Sequence, residues 1–139
     1  MDTQIMLEHF RIAELSLKGN TFDKDALLND VVSMPFSYVP SFNEEYPTSF
    51  AIIFDITLEN HEKTFVLKVK AIAQFETDKP IDEEFKYSPF LIITAPAIAY
   101  PYLRAFISNL LLNCGYEPRW LPTLNFVAMA EDKEKKEEK

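Results

Sequence analysis

The chain has 139 residues, of which 47% are hydrophobic and 26% are charged, and its formal net charge is −8 at pH 7. This length and composition are typical of one globular domain that can bury a sizeable core. The acidic balance argues against a nucleic-acid partner, because phosphate binding requires clustered cations.

Cysteine usage and hydropathy predict the cellular location. Cys114 is the single cysteine, which excludes an intrachain disulfide and favours the reducing cytoplasm. The chain opens without a signal-type segment. The most apolar run, around residues 89–102, is interrupted by prolines and is shorter than the roughly 20 residues that span a bilayer, so no membrane insertion is expected. We expect one domain over residues 1–130 and a charged, disordered tail over residues 131–139.

The first half of the chain is predicted to contain strands. Residues 9–18 alternate as a strand, but the apolar phase changes after Ile12, which indicates a bulge or burial on both faces. Residues 21–32 are ambiguous between a short helix and irregular structure. Over residues 34–49, three prolines restrict the chain to an edge strand or an extended loop, because proline lacks an amide donor.

The clearest pattern is a pair of alternating runs at residues 50–59 and 64–76. They predict an antiparallel hairpin with one apolar face and one mixed face, which carries Asp55 and Lys70. The apolar face of this sheet must therefore be covered.

The second half of the chain is predicted to contain helices. An amphipathic helix is predicted over residues 101–114, with Pro101 as its first residue and Gly115 at its end. Its apolar stripe consists of Leu103, Phe106, Ile107, Leu110 and Leu111. Asn125 can cap a last helix that starts at Phe126. Because the strands precede the helices, the order predicts an α+β fold with helices packed on one face of an antiparallel sheet.

Residues that catalysis requires are scattered or too few. The chain has two glycines, Gly19 and Gly115, which cannot build a phosphate-binding loop or a dinucleotide fingerprint. His9, His61 and Cys114 lack the spacing of metal ligands or of a nucleophile and its base. The acid pairs lie in polar links and are interpreted as solvated surface. We therefore expect no enzyme, no catalytic or metal site and no cofactor.

Aromatic residues make up 14% of the chain and are concentrated in its proline-containing segment. Core packing and a binding groove are both open interpretations for Phe36, Tyr38, Phe42 and Tyr46. The prolines keep this backbone extended, and rigid aromatic rings offer large contact areas. Met34 could add an adaptable wall to such a groove.

Three stretches of the chain resemble the SecB protein-export chaperones. The first is FRIAELSLKGNTFD at residues 10–23, which is similar to the family's first strand and the turn after it. The second is the strand end at Phe75. The third and most specific is PAIAYPYLR at residues 96–104, followed by Gly115 and by LNF at residues 124–126. The resemblance implies a four-stranded antiparallel sheet followed by two C-terminal helices, assembled as a homotetramer that is a dimer of dimers.

The resemblance also implies functional surfaces. It adds Phe22, Phe75 and Trp120 to the candidate groove of Met34, Phe36, Tyr38, Phe42 and Tyr46. The surface that it implies for the motor ATPase SecA comprises Asp23, Glu76 and Asp78, although Gly19 stands where the family commonly has an acid. The oligomer interface that it implies comprises Phe10, Ile12, Leu103, Phe106, Ile107 and Leu110.

A protein of this kind is expected to act as an ATP-independent holdase. It would bind unfolded or extended preproteins in apolar, aromatic-lined grooves, with delivery to SecA as one implied step. Two alternatives stay open. One is a SecB-like chaperone dedicated to a toxin–antitoxin pair, with an antitoxin as its partner. The other is a specific adaptor for one protein or peptide, without general chaperone activity.

Overall fold

A computed structural model describes residues 3–19, 31–60, 64–117 and 121–137. Its strands are β1 (Ile5–Gly19), β2 (Val31–Ser33), β3 (Phe36–Phe42), β4 (Ser49–Asn60) and β5 (Phe65–Thr77). β1, β5 and β4 lie side by side, and β2 and β3 pair one after the other with the remaining edge of β4. Every pair is antiparallel, so four strand positions form the predicted sheet. The interruption of the fourth position contains Pro35, whose carbonyl accepts a hydrogen bond from Thr57 N at 3.0 Å.

The β4–β5 hairpin follows the predicted alternation. Phe54 pairs with Ala71 on the side that faces the helices, and both side chains are fully buried. Asp55 pairs with Lys70 on the opposite side, where side chains are half-buried or exposed. At the hairpin end, the amide oxygen of Asn60 accepts from Phe65 N at 3.0 Å. The prediction of one apolar and one mixed face is confirmed.

β1 is an edge strand with two irregularities in its pairing with β5. One register shift falls between Ile12 and Glu14, where the sequence predicted a bulge, and another falls between Leu7 and His9. A bulge moves the following side chains to the other face of the strand, so β1 keeps an apolar face toward the helices despite its change of phase. The bulge prediction is confirmed.

β3 is the edge strand that the prolines predicted. Its outer position tolerates Pro40, which lacks an amide donor and is paired with Ile52. Of residues 21–32, which were left unassigned, Val31 and Val32 belong to β2, and the others lie outside the described residues.

The helices are α1 (Glu83–Lys86), α2 (Ala95–Asn113) and α3 (Phe126–Glu137), and a π-helical turn (Phe90–Thr94) precedes α2. α2 covers the sheet with Ala95, Ala99, Leu103, Ile107 and Leu111, all of them fully buried. This spacing of four residues makes one continuous face on a helix. Two long C-terminal helices are therefore confirmed, and α1 and the π-helical turn are additions that the sequence analysis missed.

The predicted start of α2 was wrong. Pro101 lies inside the helix, six residues after Ala95. A proline there removes the hydrogen bond to the carbonyl of Ala97, but both residues are exposed, so water can satisfy that carbonyl. The real start is marked by Pro96, the second residue of α2.

Pro96 also explains a hydrogen bond that joins the sheet to the helix. Because Pro96 has no amide hydrogen, the carbonyl of Ile92 loses the bond that it would accept in an α-helix. The hydroxyl of Tyr38 donates to this carbonyl at 2.9 Å. Burial raises the pKa of Tyr38, so its hydroxyl keeps its proton and remains a donor well above neutral pH.

Both ends of the inter-helix loop are capped as predicted. Gly115 has φ +88°, Gly115 N donates to Leu112 O at 3.2 Å, and Tyr116 N donates to Leu111 O at 2.8 Å. This pair of bonds is a Schellman motif. Asn125 Oδ1 accepts from Ala128 N at 3.1 Å and caps α3. α3 continues to Glu137, into the segment expected to be disordered, and the division of the chain at residue 130 stays a prediction.

The helical segment Phe90–Asn113 has 24 residues and contains an 18-residue window with a mean hydropathy of 1.5, which is enough to cross a membrane by length and composition alone. The expectation that no such stretch exists was therefore wrong, because the prolines do not end the helix. One face of the segment lies in the core against the sheet, and a core helix passes the same length and composition test.

Tyr38→Phe is expected to destabilise the fold by about 1 kcal/mol, because it leaves the carbonyl of Ile92 without this donor. Tyr46→Phe, the same change at an exposed tyrosine, should alter stability by less than about 0.5 kcal/mol. Urea denaturation of the two variants measures the difference. Equal stabilities would show that the Tyr38 hydroxyl contributes nothing.

Candidate functional site

The turn between β3 and β4, residues 43–48, holds the exposed aromatic side chain of Tyr46. Asn43 organises this turn: its carbonyl accepts from Tyr46 N at 2.9 Å, and its side-chain oxygen accepts from Glu45 N at 2.9 Å. Ser49 N donates to Tyr46 O at 3.1 Å. The turn is therefore closed by its own hydrogen bonds, and the Tyr46 side chain remains 59% exposed.

The end of β5 anchors the same turn. Thr77 N donates to Thr48 O at 2.8 Å. The carboxylate of Glu76 accepts from the hydroxyls of Thr48 and Ser49, and the Ser49 bond measures 2.7 Å. These two hydrogen bonds, first that of Thr48 and then that of Ser49, hold the pKa of Glu76 below its ordinary value. The turn is therefore fixed to the end of β5.

Tyr46 lines two clefts. The Gln74 cleft has a volume of about 390 Å³ and is lined by Ser41, Phe42, Asn43, Tyr46, Ser49, Phe50, Ala51 and Gln74. The Lys86 cleft has a volume of about 210 Å³ and is lined by Phe42, Asn43, Glu44, Tyr46, Pro47, Ser49, Ile81 and Lys86. Phe42 and Tyr46 line both clefts.

α1 positions the charged wall of the Lys86 cleft. Asp82 caps this helix by accepting from Phe85 N at 2.8 Å, and the buried ring of Phe85 lies 5.4 Å from that of Phe50. This anchor brings the next residue, Lys86, over Phe42, with its ammonium nitrogen 5.2 Å from the ring centroid. The geometry is a cation–π contact.

Both clefts offer aromatic surface together with hydrogen-bonding groups, which are neutral in the Gln74 cleft and include the charged Glu44 and Lys86 in the Lys86 cleft. Such a set accepts apolar side chains and peptide groups without demanding one shape. Within the described part of the chain, no three His, Cys, Asp or Glu side chains come together as a metal site.

The structure divides the candidate groove residues among three environments. Phe42 and Tyr46 come together at the clefts, whereas Tyr38 and Phe75 are buried in the core and offer no accessible ring, which corrects their assignment to a groove. Met34 and Phe36 are half-buried at the edge of the core. The last two candidates, Phe22 and Trp120, lie outside the described residues.

Two acids of the candidate partner surface, Glu76 and Asp78, accept hydrogen bonds from other residues of the chain. Glu76 holds the turn, and Asp78 Oδ1 accepts from Gln4 N at 2.8 Å. Both remain at least partly accessible, so partner binding by them stays a prediction. Asp23 lies outside the described residues. At Gly19, a Cβ atom would collide with the hydroxyl of Tyr116, so a side chain there would displace that ring.

The candidate interface residues also divide by burial. Leu103 and Ile107 are fully buried against their own sheet, which corrects their assignment to a subunit interface. Phe106 and Leu110 are half-buried. Phe10 and Ile12 are half-buried as well, and the Phe10 ring lies 6.0 Å from that of Tyr102. The large hydrophobic side chains of α2 that are exposed are Ile98, Tyr102 and Leu112.

Sequence reasoning missed Lys86 and Gln74 as site residues. Both are distant in sequence from Phe42, and their side chains carry no pattern that marks a binding site. The turn residues Asn43 and Ser49 have ordinary turn chemistry, which could have identified a turn but not a cleft.

Comparison with protein families identifies the chain. The family model described as preprotein translocase subunit SecB matches residues 39–137. The chain belongs to the SecB family. SecB proteins are protein-export chaperones rather than enzymes, so the resemblance drawn from the sequence is confirmed.

Curated SecB relatives match part of the chain. The protein-export protein SecB of Methylibium petroleiphilum is 35% identical over 77 residues, which is 55% of this chain and 46% of that protein. The SecB of Ralstonia pickettii is 31% identical over 83 residues, or 59% of this chain and 47% of that protein. The chain thus spans about half the length of these relatives.

Solved structures share the SecB-like fold. A SecB-like chaperone of Mycobacterium tuberculosis, solved with a ChAD peptide from the HigA1 antitoxin, has a TM-score of 0.68 at 14% identity and covers 87% of this chain and 90% of that chain. A protein of unknown function from Streptococcus agalactiae has a TM-score of 0.55 at 9% identity and covers 88% of this chain and 100% of its own. At these identities the likeness concerns the fold.

Phe75→Asp is expected to unfold the protein, because it places an unpaired carboxylate in the core where Phe75 stacks 5.1 Å from Phe50. Circular dichroism and urea denaturation measure the loss. A stable, folded variant would contradict this burial and return Phe75 to the candidate groove.

Glu76→Gln is expected to lower stability at pH 7 and to matter little in acid. The folded-state pKa of Glu76 is depressed, so its contribution is present above the ordinary glutamate pKa of about 4.3 and is lost as pH falls through the folded value. Urea midpoints of wild type and variant, compared from pH 7 down to about pH 3, should converge. A difference that is constant with pH would contradict a role for the ionised carboxylate.

Proposed function

We propose that the protein is an ATP-independent holdase chaperone that binds unfolded or extended polypeptides at the two clefts around Tyr46. The observation that carries this proposal is the pair of accessible aromatic side chains, Phe42 and Tyr46, at a hydrogen-bonded turn of a SecB-family fold. An exposed tyrosine fixed on a rigid turn is a contact surface prepared before its ligand arrives.

The neighbouring edge strand supports binding of an extended chain. β3 ends at Phe42 beside the clefts and is an edge strand of the sheet. A client segment can add to such an edge through backbone hydrogen bonds while alternate side chains enter pockets. Backbone bonding is independent of client sequence, which suits a chaperone with many clients.

Assembly would raise the affinity for long clients. We propose a cytoplasmic homotetramer, a dimer of dimers, that presents several turns to one unfolded chain. Linked weak sites can gain about 10²–10⁴ in avidity over one site. Three large hydrophobic side chains of α2 that are exposed, Ile98, Tyr102 and Leu112, support contact between subunits. Transfer of bound preproteins to SecA would complete a protein-export role.

A second candidate is a chaperone dedicated to one antitoxin. The fold likeness to the M. tuberculosis SecB-like chaperone, solved with an antitoxin peptide, favours this candidate. An adaptor that binds one partner, without general chaperone activity, is the rival class. Client breadth separates them: a holdase suppresses aggregation of unrelated proteins, whereas a dedicated chaperone or adaptor acts on its own partner.

Tyr46→Ser is expected to weaken client capture about two- to tenfold, because it removes the exposed ring shared by both clefts. The matched control is Tyr87→Ser, the same change at a tyrosine that is 84% exposed and lines neither cleft. Light scattering of an unrelated, chemically unfolded protein diluted without ATP measures capture, and the subunit mass is determined alongside.

Suppressed scattering by wild type and by Tyr87→Ser, with less suppression by Tyr46→Ser, is the expected result. Undiminished scattering with folded wild-type protein would contradict a general holdase and leave the dedicated chaperone or adaptor. Equal suppression by all three proteins would move the client site away from the turn.

A further inference from the structure

Lys86 occupies one of the two aromatic surfaces to which the proposed function assigns client binding. Its ammonium nitrogen lies 5.2 Å from the centroid of the Phe42 ring, inside the Lys86 cleft. The contact is attractive because the face of an aromatic ring carries partial negative charge. A client side chain that packs on this face of the Phe42 ring competes with Lys86 for it.

The position of Lys86 is built by its helix. Asp82 caps α1, and the buried Phe85 fixes the helix against Phe50. Lys86 also forms an ion pair with Glu83 at 3.6 Å. The Lys86 side chain is 39% exposed, so it can leave the ring and keep its charge in water. The helix therefore places Lys86 over the Phe42 ring, and a ligand can displace its side chain into water.

The Gln74 cleft differs in this respect. Its lining contains Phe42, Tyr46 and Phe50 with neutral polar groups, and none of its lining side chains is charged. The two clefts therefore share aromatic residues, but an apolar side chain competes with a charged group only in the Lys86 cleft. In the Lys86 cleft, a ligand that packs on the face of Phe42 beneath Lys86 must displace the cation–π contact.

We propose that Lys86 is a specificity-determining residue, an internal competitor that covers Phe42 and weakens capture of apolar side chains in the Lys86 cleft. This inference rests on the proposed function and adds a means of selection to it. Clients with strongly apolar or aromatic segments would displace Lys86, whereas marginal segments would not.

The experiment uses the full chain labelled with ¹⁵N and a neutral, end-capped peptide that has one phenylalanine among serine and glycine. Titration follows the amide resonances of Asn43, Tyr46 and Ser49. Lys86→Gln is expected to tighten peptide binding about two- to fivefold, the size of an exposed cation–π contact. Lys79→Gln, the same change at an exposed lysine that lines neither cleft, should leave the affinity unchanged.

The same lysine substitution in a Phe42→Leu variant tests whether the Phe42 ring causes the change in affinity. In Phe42→Leu, which keeps an apolar side chain but removes the aromatic face, Lys86→Gln should have no effect on peptide affinity. An unchanged affinity in Lys86→Gln, or the same gain in both backgrounds, would overturn the inference while leaving the proposed function intact. Absence of peptide shifts in wild type and in Lys86→Gln would overturn both.

Discussion

The β4–β5 ladder is the constraint from which the other contacts follow. Its strict alternation produces one continuous apolar face, and leaving that face in water would be unfavourable by about 25 cal/mol per Å² of apolar surface. α2 provides the cover, because its buried residues recur every four positions from Ala95 to Leu111. The hydrogen bond from Tyr38 to Ile92, made available by Pro96, then fixes the start of the helical segment to the sheet.

The candidate site is an extension of this core. The buried rings of Phe50 and Phe75 stack with their centroids 5.1 Å apart. The half-buried ring of Phe42 lies 6.4 Å from that of Phe50 and continues this aromatic contact to the surface. β5, which forms the centre of the sheet, also supplies Glu76 and Thr77 to hold the turn. The hydrogen-bonded turn at the end of this hairpin keeps the Tyr46 ring accessible.

The three aromatic residues of β3 lie on the same face of the strand but differ in how deeply they are buried. Phe36, Tyr38 and Phe42 share the helix-facing side of β3, since strand residues two apart point the same way. Tyr38 lies beneath the π-helical turn and the Phe126 ring, at 5.4 Å, and is therefore core. Phe42, at the end beside the turn, remains accessible. Core packing is thus confirmed for Tyr38, whereas a binding groove stays a prediction for Phe42.

Periodicity and local chemistry were sufficient to predict the hairpin, the β1 bulge, the β3 edge strand, Gly115 and the Asn125 cap, because each depends on near neighbours. The SecB-like motifs likewise identified the family. Burial of Tyr38 and Phe75, the position of Pro101 inside α2, and the meeting of Lys86 with Phe42 required the folded chain. These features depend on which elements cover which, and contacts between residues far apart in sequence leave no periodic signal along it.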